Sequence, residues 1–142
     1  MIKKITHLTT RELEEILNIW LTSNIEAHPF IPENYWQENL NSVREQLPQA
    51  EIYVYVKNDK IIAFLGMVET YIAGIFVSTP YRSQGIGQQL LQEAKSHYNT
   101  LTLSVYAKNQ NALHFYQKQG FQLVNKQIDA TNELEYELIW NK

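Results

Sequence analysis

The hexapeptide Arg82-Ser83-Gln84-Gly85-Ile86-Gly87 stands between an apolar run, Ile72 to Val77, and the stretch Gln88-Gln89-Leu90-Leu91-Gln92-Glu93-Ala94-Lys95. The run reads as a buried strand and the stretch as a helix. A strand that passes through a glycine-bearing turn into a helix leaves the first-turn N–H groups without intrahelical partners. With the positive end of the helix dipole, those groups form a seat for an anion, typically a phosphate. Glycines at 85 and 87 carry no side chain to keep a diphosphate from the backbone. Two better-known phosphate loops are absent. There is no Gly-x-Gly-x-x-Gly, and no Lys-Ser/Thr pair follows the last glycine, so neither a dinucleotide fingerprint nor a nucleotide P-loop is present.

A second block lies downstream: Asn109-Gln110-Asn111-Ala112-Leu113-His114-Phe115-Tyr116-Gln117-Lys118-Gln119-Gly120-Phe121. A strand-like Leu101-Thr102-Leu103-Ser104-Val105-Tyr106 separates it from the first. Arg-x-x-Gly-x-Gly, followed by an Asn, an Ala three positions later, a Phe-Tyr pair and Gly-Phe, resembles the two signatures of the GCN5-related N-acetyltransferases. The resemblance covers residues 71 to 123 and extends loosely over the rest through element order. It implies acetyl-CoA as donor, an amine as acceptor, and direct attack in a ternary complex with no covalent intermediate.

Residue by residue, the resemblance gives Gln84, Gly85, Ile86, Gly87 and Gln88 the diphosphate, with positive charge from Arg82 nearby. It gives Phe76 and Val77 an exposed backbone that pairs with the pantetheine arm, and an N–H at or beside Val77 the oxyanion. Asn109 is a cofactor contact by resemblance and a helix N-cap by residue type; both readings can hold together. Tyr116 takes the general acid's place. A phenol of pKa about 10 is protonated at neutral pH and can donate to a departing thiolate.

The general base is less clear. Many protein-acetylating relatives carry a Glu in the strand equivalent to Leu101–Tyr106, and here that position is Ser104. A lysine amine, with a pKa of about 10.4, is mostly protonated at neutral pH. Glu69 and Tyr71, which enter the strand leading to the thioester, are the candidates to relieve it, as is a water chain ending on either. Tyr71 can instead position the amine. The acceptor wall is expected from His28, Phe30, Tyr35 and Trp36, an aromatic cluster around Pro29 and Pro32, because aromatic faces attract cations. Acceptors in view are a protein lysine, a peptide N-terminus and a small amine. The alternative is a non-catalytic acyl-CoA-binding sensor, which the missing Glu keeps open.

The elements that must position these residues follow from periodicity. Ile2 to Leu8 reads as a strand, and Thr9-Thr10-Arg11-Glu12 as a capping box with Leu8 and Leu13 as its hydrophobic staple. Leu13, Ile16, Leu17, Trp20 and Leu21 mark one face of a helix that the prolines at 29 and 32 interrupt. A second helix is expected over Glu33 to Leu47. Ile52–Val56 and Ile61–Val68 read as strands joined at Asn58-Asp59, the latter apolar on both faces and hence central. A helix from about Asn109 to Gln119 should end at Gly120, and Phe121–Val124 and Glu133–Trp140 should form an antiparallel pair. The order β-α-α-β-β-β-α-β-α-β-β is similar to the acyl-CoA N-acyltransferase fold: α+β, one domain over 1–142, a mixed and mostly antiparallel sheet flanked by helices.

Composition narrows the class. The 142 residues are 44% hydrophobic and 19% charged, with a formal net charge of −3 and scattered basic residues. A nucleic-acid partner is not expected. No apolar stretch has the length of a membrane span, and the N-terminus lacks a signal peptide's apolar core. A cytoplasmic location, where acyl-CoA is available, is the expectation. There is no cysteine, so no disulfide and no cysteine nucleophile. His7, His97 and His114 lack the spacing of a metal site. Monomer and homodimer both remain open.

Overall fold

A computed structural model describes residues 1–142. The elements are β1 (Ile2–Ile5), α1 (Thr10–Ala27), α2 (Glu33–Gln46), β2 (Glu51–Lys57), β3 (Lys60–Val68), β4 (Tyr71–Val77), α3 (Ile86–His97), β5 (Thr100–Tyr106), α4 (Gln110–Lys118), β6 (Gln122–Ile128) and β7 (Leu134–Asn141). Short 3₁₀ turns follow α2 and β4. The seven strands form one sheet in the order β1-β2-β3-β4-β5-β7-β6. Every neighbouring pair is antiparallel except β4 and β5.

Local chemistry sets the boundaries. The Thr9 hydroxyl accepts from Glu12 N at 3.1 Å while the Glu12 carboxylate accepts from Thr9 N at 3.0 Å, a complete capping box for α1. The helix runs until Pro29 forces its predecessor, His28, out of helical geometry. Asn58 and Asp59 both take positive φ, 52° and 60°, as a two-residue hairpin demands. Gly120 does the same after α4, at 94°.

Three elements depart from their expected extents. β1 stops at Ile5 because only Ile2 to Ile5 pair with β2, and Leu8 turns away to pack under α1. α3 starts at Ile86, inside the glycine loop. β6 continues to Ile128 through Asn125, Lys126 and Gln127, exposed polar residues with no hydropathic signal; pairing with β7 holds them.

Both faces of the sheet are covered. On one, Ile16, Leu17 and Ile19 of α1 pack with Ile52, Val54 and Phe64. On the other, Leu90, Leu91 and Ala94 of α3 pack with Leu65, Met67 and Leu103. β3 lies between them, with every residue but its two ends buried, which explains its unbroken apolar run. No helix is long and apolar enough to cross a membrane.

One junction in the sheet is incomplete. β4 and β5 pair only at Tyr71 with Thr102 and Ile72 with Leu103. On the other edge of β4, Ala73 is an extra residue between the pairs Ile72–Met67 and Gly74–Gly66. Such a bulge bends its strand, and from Ala73 to Val77 β4 has no partner on the β5 side.

Candidate active site

The gap between the parted strands opens into two cavities. The larger, of about 800 Å³, lies between Ala73–Val77 on one side and Ser104–Tyr106 on the other, beneath the α1–α2 loop. The second, of about 740 Å³, is bounded by the glycine loop and α4. Ile75, Val77, Arg82, Asn111, Ala112 and Tyr116 line both, so the two form one groove with those residues at its waist.

The glycine loop closes one end. Gly85 is the N-cap of α3 at φ 80°, with no side-chain cap and no acidic residue in the first helical turn. Nothing lies within 4 Å of where a Cβ on Gly85 would stand. The free N–H groups of α3 therefore face open space under a favourable dipole, which suits a diphosphate. Gly85, Ile86, Gly87 and Gln88 all line this cavity, whereas Gln84 lines neither and its amide donates weakly to Pro80 O at 3.4 Å.

Arg82 lies at the waist, with its donors already engaged. Its Nε donates to Val77 O at 3.0 Å and one terminal nitrogen to the Glu26 carboxylate at 2.9 Å. Thr79 Oγ1 donates to the same carboxylate at 3.0 Å. The guanidinium thus ties α1 to the corner after β4, and its positive charge is shared with Glu26.

β4 turns its side chains away from the gap. Phe76 packs with Phe64, ring centroids 5.2 Å apart, on the α1 side of the sheet. Ile75 and Val77 pack on the α3 side. A Cβ at Gly74 would stand 2.2 Å from the Phe76 ring, so the glycine admits that ring. What β4 offers the gap is main chain.

Tyr116 projects from α4 between Phe115 and Phe121, with ring centroids 5.2 and 5.6 Å away. Burial, and then the neighbouring Tyr71, hold its phenol above the usual range, so it remains protonated at neutral pH. Tyr71 and Ser104 line the larger cavity. Glu69 is not brought to it. In the turn before β4 it takes φ 56°, is exposed, and lines neither cavity.

The aromatic cluster forms as expected and is larger than expected. His28 stacks on Trp36 at 5.3 Å and meets Phe30 edge-on at 5.6 Å. Tyr35 packs edge-on against Trp36 at 4.9 Å but does not line the cavity. Burial, then the charges of Asp129 and Glu135, push its phenol up. Two members were missed in the sequence. Trp20 meets Trp36 at 5.9 Å, and Tyr106 meets His28 at 5.0 Å and Phe30 at 5.6 Å. Tyr106 is held by donating to Asp129 Oδ2 at 2.6 Å. An aromatic at the end of a strand beside the second signature was the available signal. Lys108, over the Phe30 ring at 5.3 Å and paired with Glu133 at 3.1 Å, and Glu135 complete this rim.

Asn109 is the N-cap of α4: its Oδ1 accepts from Ala112 N at 3.3 Å. It also lines the larger cavity, so it is both cap and groove residue.

A sequence profile described as the acetyltransferase (GNAT) domain matches residues 48–123, more than half of the chain and the whole of this groove's β4, glycine loop and α4. The chain belongs to the GNAT family. It is 39% identical over 116 residues to the peptidyl-lysine N-acetyltransferase YiaC of Escherichia coli K12, covering 80% of each chain. To the peptidyl-lysine N-acetyltransferase YjaB of the same strain it is 30% identical over 127 residues, 89% of this chain and 86% of that one. The solution structure of apo YjaB from Escherichia coli superimposes with a TM-score of 0.84 at 27% identity, covering 99% of this chain and 97% of that one. The family and the fold inferred from the two motifs are borne out: this GNAT protein is an acetyl-CoA-dependent N-acetyltransferase.

Proposed function

We propose that the enzyme acetylates the ε-amine of lysine in peptides or proteins, by direct attack on acetyl-CoA within a ternary complex. Support for the acceptor comes from the two relatives named peptidyl-lysine N-acetyltransferases. The observation that carries the chemistry is the waist of the groove, where unpaired β4 main chain and the Tyr116 phenol border the same space.

When bound, acetyl-CoA supplies an acyl group activated as a thioester. The N–H groups of Gly85 to Gln88 hold the anionic end, and the main chain of Phe76 and Val77 aligns the arm as an added strand would. An N–H at or beside Val77 stabilises charge developing on the carbonyl oxygen. Tyr116, kept protonated by burial, gives its proton to the leaving sulfur. The faces of Phe30, Tyr106 and Trp36 draw in the lysine ammonium, and water held against Tyr71 and Ser104 takes its proton. Arg82 braces the waist, Asn109 borders the donor, and Glu69 has no part in this scheme.

The test is thiol release from acetyl-CoA with lysine peptides, N-terminal peptides and small amines in parallel. Release with lysine peptides alone is expected. Release with small amines and not with lysine peptides would overturn the acceptor. Binding of acetyl-CoA without release from any acceptor would favour a sensor instead.

A further inference from the structure

The α1–α2 loop and α4 meet at a single polar contact. Asn109 Nδ2 lies 3.2 Å from His28 Nε2, and His28 Nδ1 lies 3.0 Å from the Asn24 carbonyl oxygen. These contacts can be satisfied together in one way only. A carbonyl oxygen only accepts, so Nδ1 carries the hydrogen. The Asn109 amide is oriented by the cap, since its Oδ1 must accept from Ala112 N. That leaves its NH₂ toward His28, and an NH₂ only donates. Nε2 must then accept.

We infer that His28 is a positioning residue: as the neutral Nδ1–H tautomer it accepts from Asn109 and thereby holds the cap of the helix that carries Tyr116. The inference rests on the reading of the groove given above.

The surroundings favour the neutral form. The ring is 8% exposed and lies among Trp36, Phe30 and Tyr106. Burial lowers its pKa, partly opposed by the bond to Asn24. The titratable and charged side chains facing the same cavity are Glu26 on α1, Tyr71 on β4, Arg82 after it, Tyr106 on β5, Lys108 after it, Tyr116 on α4 and Glu135 on β7. None is hydrogen-bonded to the imidazole.

A proton on Nε2 would set two donors against each other. Relief by turning the Asn109 amide takes Oδ1 from Ala112 N and leaves the first turn of α4 uncapped. Asn111 and Ala112, at the waist of the groove, lie in that turn. Acidification should therefore loosen the waist through His28, whatever the protonation of the acceptor.

Nitrogen NMR of the His28 imidazole, in the whole protein without ligand, tests this independently of turnover. The expected result is a protonated δ and unprotonated ε nitrogen. On acidification the ring and the Ala112 amide should shift with one midpoint. Asn109→Asp retains an acceptor for Ala112 and turns a carboxylate oxygen on Nε2, so the midpoint should move up. In His28→Gln, the fall of kcat at that midpoint should disappear. An ε-protonated tautomer, or a ring that titrates while Ala112 does not move, overturns the inference. Because these spectra need no acetyl transfer, a wrong acceptor assignment would leave them unchanged.

Discussion

The two sides of the β3–β4 ribbon end in opposite ways. β3 is paired with β2 along Glu51–Lys57, and its main chain is consumed in the sheet. β4 is paired with β5 at Tyr71 and Ile72 and then left alone for five residues. Both strands are apolar, and hydropathy alone does not distinguish them. An interior main chain without partners is costly, and β4 avoids that cost by facing a groove. The ladder stops where, in the proposed scheme, the donor's own amides would continue it. The rest of the site is arranged around that interruption: the glycine loop at one end, Tyr116 at the waist and the aromatic wall at the other.

A second contrast concerns polar side chains. Glu51, at the start of β2 and away from the groove, is saturated: Tyr53 and Tyr98 donate to it and Lys4 pairs with it at 3.4 Å. Tyr116 is buried too, yet its phenol borders the groove. One phenol is hydrogen-bonded within the fold and the other has no side-chain or main-chain partner.

Breaking the open region should cost activity, and breaking the closed one should cost stability. The largest effect is expected from Tyr116→Phe, which keeps the ring packing and removes the proton: kcat should fall by about 10²-fold or more, with the thermal midpoint little changed. Equal rates in parent and variant would remove Tyr116 from the mechanism. Next is Gly85→Asp, which puts a β-carbon at φ 80° and a carboxylate where the anion belongs. The KM for acetyl-CoA should rise by about tenfold, some 1.4 kcal/mol, while lysine-peptide KM stays near that of the parent.

Glu51→Gln should leave kcat unaltered and change the pH dependence of folding. Burial raises the Glu51 pKa, but the bonds from Tyr53 and Tyr98 and the charge of Lys4 outweigh it, so the folded value lies below the unfolded one. A depressed carboxylate contributes stability that is present above its unfolded pKa and lost as pH falls toward the folded one. Urea melts between neutral pH and the acid side of the carboxylate range should therefore show a shallower decline in the variant. The smallest effect is that of Thr9→Ala, which opens the α1 capping box: a loss of about 1 kcal/mol in urea unfolding, without change in KM.

Much of this was legible because it is local. Glycines at 85 and 87, the Phe115-Tyr116 pair and the Thr9 capping box each act within a few residues, and the structure places them where the pattern indicated. What was not legible is long-range. Glu26 engages Arg82 from 56 residues away, and His28 meets Asn109 across 81. Nothing in either local sequence signals a partner at that distance. Glu69 illustrates the converse: two residues before Tyr71, it lies outside the groove, in a turn where it takes a positive φ. The polar half of β6 escaped notice because its reason for being a strand is β7.

Amide hydrogen exchange along β4 bears most directly on the unpaired junction. Without ligand, the β4 amides directed at β5 beyond Ile72 should exchange fast while those of β3 are protected. Addition of CoA should slow the former and leave the latter unchanged. Protection of those β4 amides in the free protein, or CoA binding that leaves them fast, would contradict the account.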